Sequence, residues 1–117
     1  LTRRRFLLLA PAALWPAPAP AHALLVAAAP AAGAVLAAPP SAVVLRFNGR
    51  IEKRLSRLRL IAGDGRAHAL APDLDGAPEV LRAAAPPLSP GRWRVHWQVL
   101  SVDGHLVSGE YAFDVRR

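Results

Sequence analysis

Two stretches far apart in the chain carry residues that could hold a metal ion together. His22 ends Ala19-Pro20-Ala21-His22, and Asp103 and His105 sit in Ser101-Val102-Asp103-Gly104-His105. Ala19-Pro20-Ala21 satisfies the small-x-small rule for signal-peptidase cleavage. A cut after Ala21 makes His22 the first residue of the mature protein, so a single residue offers both a free α-amine and an imidazole. Asp103 adds an oxygen and His105 a second imidazole. An amine–imidazole chelate completed by a nitrogen and an oxygen suits a tetragonal Cu(II) site. The expected chemistry is therefore binding of one copper(II) ion by His22, Asp103 and His105. Ala21-His22-Ala23 satisfies the cleavage rule as well, and that cut would discard His22 and the chelate with it.

The spacing of the second pair is compatible with this role. In an extended segment residues i and i+2 project to the same side, about 7 Å apart. Gly104 can adopt dihedrals that let the two side chains converge. Asp-Gly is equally a common turn dipeptide, and a plain hairpin turn with an exposed His105 is the alternative. Ser101 and Ser108 lie near His105, but Asp103 and His105 are too close in sequence for a nucleophilic triad and no oxyanion loop is visible. No catalytic machinery is legible. His96 falls among polar residues and reads as solvated, and His68 has no partner near it in sequence. The cluster Arg50, Lys53, Arg54, Arg57 and Arg59 reads as a solvated face.

Composition bounds what surrounds these residues. Thr2-Arg3-Arg4-Arg5-Phe6-Leu7-Leu8 couples a charged start to an apolar run and matches the twin-arginine export pattern. Prolines at 11, 16, 18 and 20 break that run before it could span a bilayer. Residues 1–21 are thus expected to be an export signal and residues 22–117 one soluble domain, large enough for a modest core. The formal charge of +7 falls to +4 without the signal arginines, and no basic run with interleaved aromatics points to nucleic acid. Cysteine and methionine are both absent. The first absence excludes disulfides and thiolate ligands, and the second removes the soft thioethers that Cu(I) prefers.

The elements expected to position the site are strands. Short apolar stretches separated by Pro, Gly and Asp give strands at 24–29, 42–48, 57–62, 66–70 and 79–83. Gly63-Asp64-Gly65 turns the third into the fourth. The last two are the clearest. In 92–101, Trp93, Val95, Trp97 and Val99 share one face, and in 110–116 Tyr111, Phe113 and Val115 do the same. About seven strands in 96 residues predict an all-β fold, a small Greek-key sandwich.

At this point the residues resemble a known family. The start His22-Ala23-Leu24-Leu25 with Pro30-Ala31-Ala32-Gly33, the run Gly91-Arg92-Trp93-Arg94-Val95-His96-Trp97-Gln98-Val99-Leu100-Ser101-Val102-Asp103-Gly104-His105, and Gly109-Glu110-Tyr111-Ala112-Phe113 are similar to CopC-type periplasmic copper-resistance proteins. The likeness covers essentially the whole mature chain, and Trp-x-Val-x-Ser-x-Asp-Gly-His is its specific part. The resemblance implies a cupredoxin-like or immunoglobulin-like sandwich of seven strands, copper(II) ligands at His22, Asp103 and His105, a periplasmic location, and a CopD-like inner-membrane copper transporter as partner. Two positions depart from the family. A second histidine, often found two residues after the first, is Leu24 here. Phe-Ser-Glu after the second strand is replaced by Phe47-Asn48-Gly49, which removes a glutamate able to orient the ligands.

The function expected is a periplasmic copper(II) carrier or chaperone in copper homeostasis or resistance, and not an enzyme. A histidine-brace copper oxidoreductase is the alternative that would use the same terminal histidine. Asp103 would there occupy a position that an oxygen-activating copper needs open. A metal-free structural sandwich is the outcome if cleavage follows Ala23.

Overall fold

The computed structural model describes residues 23–117. The expected export signal, residues 1–21, and His22 lie outside the described residues. Eight strands follow in chain order: β1 (Leu25–Ala29), β2 (Val35–Leu36), β3 (Ala42–Phe47), β4 (Arg57–Ala62), β5 (Ala67–Leu70), β6 (Val80–Ala84), β7 (Gly91–Leu100) and β8 (Leu106–Val115). A single 3-10 turn, Lys53–Leu55, precedes β4. The strands form a three-stranded sheet in the order β1-β3-β6 and a five-stranded sheet in the order β2-β8-β7-β4-β5. This is the all-β sandwich that the alternation predicts. Among the described residues no helix is long and apolar enough to cross a membrane.

The core is the meeting of the two alternating faces. Val43, Leu45 and Phe47 of β3 and Leu81 and Ala83 of β6 are buried together with Leu58 and Leu60 of β4, all four of Trp93, Val95, Trp97 and Val99 of β7, and Phe113 and Val115 of β8. A one-residue slip in any pairing would turn such a stripe to solvent, so burial fixes the register. Tyr111 is partly buried against this cluster. Its ring lies 6.1 Å from that of Trp97, and its hydroxyl donates to the Pro30 carbonyl at 2.5 Å.

Most strand ends fall within a residue of the sequence expectation, and β2 and the start of β8 depart further. β2 has only two residues, too few to show a period, and runs parallel to β8. It is held by neighbouring backbone bonds, the Asp114 amide to the Ala34 carbonyl and the Arg116 amide to the Leu36 carbonyl. β6 runs one residue later than the expected 79–83. β8 begins at Leu106, not at 110, because Ser108-Gly109 interrupts the apolar alternation without interrupting the pairing. Gly109 sits opposite Trp97, and the indole lies over it. A Cβ built on Gly109 would come within 2.8 Å of the indole Cη2 and inside contact distance of two further ring carbons.

Gly109→Ala is therefore expected to overpack the core beneath Trp97 and destabilise the domain by about 1–3 kcal/mol. A thermal melt followed by tryptophan fluorescence checks this, and an unchanged midpoint would show that the indole is free to move aside. Burial also pushes the Tyr111 phenol up to about 12. The unfolded chain binds that proton less tightly, so stability present below pH 10 is expected to fall as pH rises from about 10 toward 12. Tyr111 is the only tyrosine in the chain, so phenolate absorbance reads it directly. A midpoint near 10 in the folded protein would contradict the assignment.

Candidate metal centre

β7 and β8 pair over ten positions, from Gly91↔Val115 to Leu100↔Leu106, and the chain between them is the tight turn 101–105. The segment is thus a turn and not extended. Gly104 takes φ +88°, a left-handed conformation that a side chain would strain. The Gly104 amide donates to the Ser101 carbonyl, and the Ser101 amide to the His105 carbonyl, each at 2.9 Å.

This turn brings Asp103 and His105 together. His105 Nδ1 lies 3.0 Å from Asp103 Oδ2, and the His105 amide donates to Asp103 Oδ1 at 3.2 Å. The Ser101 hydroxyl donates to the same Oδ1 in a short hydrogen bond and also lies 3.1 Å from the His105 carbonyl oxygen. Ser101 itself is only 2 % exposed. The Ser101 hydroxyl, then the His105 ring and amide, hold the Asp103 carboxyl down to about 2. It is a carboxylate at every pH near neutrality and presents oxygen lone pairs to a cation. Of the two side chains His105 is the more open, at 64 % exposed against 24 % for Asp103.

The turn stands at the same end of the sandwich as the start of β1. Leu25 pairs with Phe47 at the end of β3. Just before it, the Asn48 amide donates to the Leu24 carbonyl, and the Leu24 amide donates to Asn48 Oδ1, both at 2.9 Å. Ala23 is buried in the core, 3 % exposed. Three residues beyond Asn48, Ile51 forms an isolated antiparallel bridge with Ser101, and the Glu52 amide donates to the Leu100 carbonyl. A three-residue step spans at most about 11 Å, so one short segment ties the residues that follow His22 to the turn that carries Asp103 and His105.

Of the expected ligands, the structure brings Asp103 and His105 into one pair, while His22 lies outside the described residues. Among the described residues no group of three or more His, Cys, Asp or Glu side chains could hold a metal ion. His68 is not part of the centre: it faces the core side of β5, its ring 5.8 Å from that of Trp93. His96 lies on the outer face of β7, its Nδ1 3.4 Å from an Arg59 guanidinium nitrogen. Trp97 serves the core, edge-on to Phe47. Two contributors were not identified as such from the sequence. Ser101 had a signal, since a serine two residues before an Asp-Gly turn can donate back to the carboxylate. Asn48 stood out only as a departure from a family pattern, because its partner lies 24 residues away.

Ser101→Ala is expected to return the Asp103 carboxyl toward its ordinary 3.8. Carboxyl-carbon NMR titration of the metal-free protein reads that shift, and a carboxyl that stays near 2 would remove the serine from the account.

Comparison with known proteins gives a consistent result. The CopC domain model matches residues 25–116. Protein YobA of Escherichia coli K12 is 32 % identical over 99 residues, covering 82 % of this chain and 80 % of its own. The crystal structure of CopC from Methylosinus trichosporium OB3b superposes with a TM-score of 0.76 at 36 % identity, over 81 % of this chain and 94 % of that one. PcoC, a methionine-rich copper resistance protein from Escherichia coli, superposes with a TM-score of 0.68 at 25 % identity, over 81 % and 99 % of the two chains.

Proposed function

The chain belongs to the CopC family, and from that membership we propose that it is an exported copper(II)-binding protein, a periplasmic carrier or chaperone in copper homeostasis or resistance. The ion is its cargo. His22, freed by cleavage after Ala21, supplies the amine and one imidazole, Asp103 a carboxylate oxygen and His105 the second imidazole. The observation that carries this reading is the turn 101–105. It holds an ionised carboxylate and an imidazole within 3.0 Å of each other at the end of the sandwich where the residues following His22 are anchored. His22 stands two residues before Leu24, about 7 Å of extended chain.

The donor set fits copper(II) on its chemistry. Nitrogen and carboxylate donors suit the divalent ion, and the chain has no cysteine or methionine to favour Cu(I). PcoC is described as methionine-rich, and this chain lacks that chemistry. A carrier needs only a ligand set, and Asp103 and His105 are read as part of one. Release goes to, or loading comes from, a membrane transporter of the CopD type. Export follows the twin-arginine route, and residues 22–117 are the working domain.

Blocking the terminus should harm binding as much as changing the side chain. A variant with one residue added ahead of His22 keeps every side chain and removes the free amine at His22. This extension, His22→Ala and His105→Ala are each expected to weaken Cu(II) by at least a hundredfold. Asp103→Ala follows closely, whereas His68→Ala and His96→Ala leave binding unchanged. Competition titration against a chelator of known affinity measures each, with Cu(I) held far more weakly than Cu(II) throughout. An extended variant that binds as tightly as the processed protein would overturn the amino-terminal chelate.

A further inference from the structure

We infer that Asn48 is a positioning residue for the amino-terminal chelate, an inference that rests on the copper site proposed above. A terminal histidine that binds through both its amine and its ring must give up the freedom of the chain end. That loss is smaller when the chain is already fixed close by. Leu24, two residues after His22, is where it is fixed. β3 ends at Phe47, and beyond it the Asn48 backbone no longer supplies both halves of the antiparallel pair. Its amide still donates to the Leu24 carbonyl, but the return bond comes from the side chain, whose Oδ1 accepts the Leu24 amide at 2.9 Å. The Asn48 side chain therefore extends the β1–β3 ladder by one further hydrogen bond.

The alternatives for this role are few. Ala23 is buried, but a methyl group has no directional bond and does not fix the heading of the chain. The Leu24 side chain is 52 % exposed and adds little packing. The directional bonds at this point are the two to Asn48. An acceptor on a short side chain is the chemical requirement, and Asn and Asp meet it where Ala cannot. The same residue also leads, three positions on, to Ile51 and its bridge to Ser101. Asn48 thus sets the start of β1 relative to the segment that holds the turn, without any need to touch the ion.

The test measures Cu(II) dissociation constants by chelator competition in two backgrounds: the processed protein beginning at His22, and the variant with one residue ahead of it. Each carries Asn48, Asn48→Ala or Asn48→Asp. In the processed background Asn48→Ala is expected to weaken binding by roughly tenfold, the worth of one hydrogen bond of the stronger kind. Asn48→Asp, which keeps the acceptor, should not weaken it. In the extended background the copper left on Asp103 and His105 should be indifferent to Asn48→Ala. An equal loss in both backgrounds would mean that Asn48 acts on general stability, and no loss in the processed background would mean that Ala23 alone suffices. Either result overturns the inference while leaving the chelate standing. If the extension itself costs nothing, the chelate falls and the role of Asn48 falls with it.

Discussion

The close approach of Trp97 to Gly109 is the constraint on which the turn carrying Asp103 and His105 depends. An indole laid over a residue without a side chain allows β7 and β8 to remain paired across a bulky core residue, through to Leu100↔Leu106. Had the pairing ended at Trp97, the connection would have been a long loop with no fixed path. Because it continues for three more positions, the chain must reverse within residues 101–105. Gly104 makes that reversal possible, and the reversal directs Asp103 and His105 toward one another. Packing in the core thus decides the geometry of the Asp103–His105 pair.

The turn is stiffened from below. Ser101 is buried and polar, a combination that costs free energy unless the hydroxyl is satisfied. It is satisfied by Asp103, and the Asp103 carboxylate gains in return a donor that keeps it ionised. The Ile51 bridge and the Glu52 amide dock the turn against the 48–56 segment. Asp103 and His105 are thereby held in one arrangement by the turn's own hydrogen bonds, which lowers the ordering cost of any binding that uses them. The other half of the proposed site is anchored from the opposite sheet. Ala23 in the core and Leu24 on Asn48 order the chain up to the residue after His22, so the two sheets of the sandwich each contribute one side.

How much of this the sequence revealed follows from the range of each signal. The stripes in β3, β4, β7 and β8 were legible because alternation is a local pattern and burial enforces it. The Asp103-Gly104-His105 pair was legible because its residues are neighbours and the flanking tryptophans gave it context. β2 was not, since two residues cannot display a period and its stability comes from backbone bonds to β8. The start of β8 was missed because Ser108-Gly109 reads as a break, although Gly109 is the residue that Trp97 requires. The Asn48–Leu24 clamp joins residues 24 positions apart through one side-chain oxygen. No periodicity encodes such a contact.

The central claim is that the free amine of His22 joins two imidazoles and the Asp103 carboxylate around one Cu(II). Electron paramagnetic resonance of the copper-loaded processed protein tests it most directly, because nitrogen couplings count the donor atoms. The account predicts three equatorial nitrogens, two of imidazole character and one an amine, and the loss of the amine coupling when a residue precedes His22. A spectrum with only imidazole nitrogens, unchanged by that added residue, would contradict it.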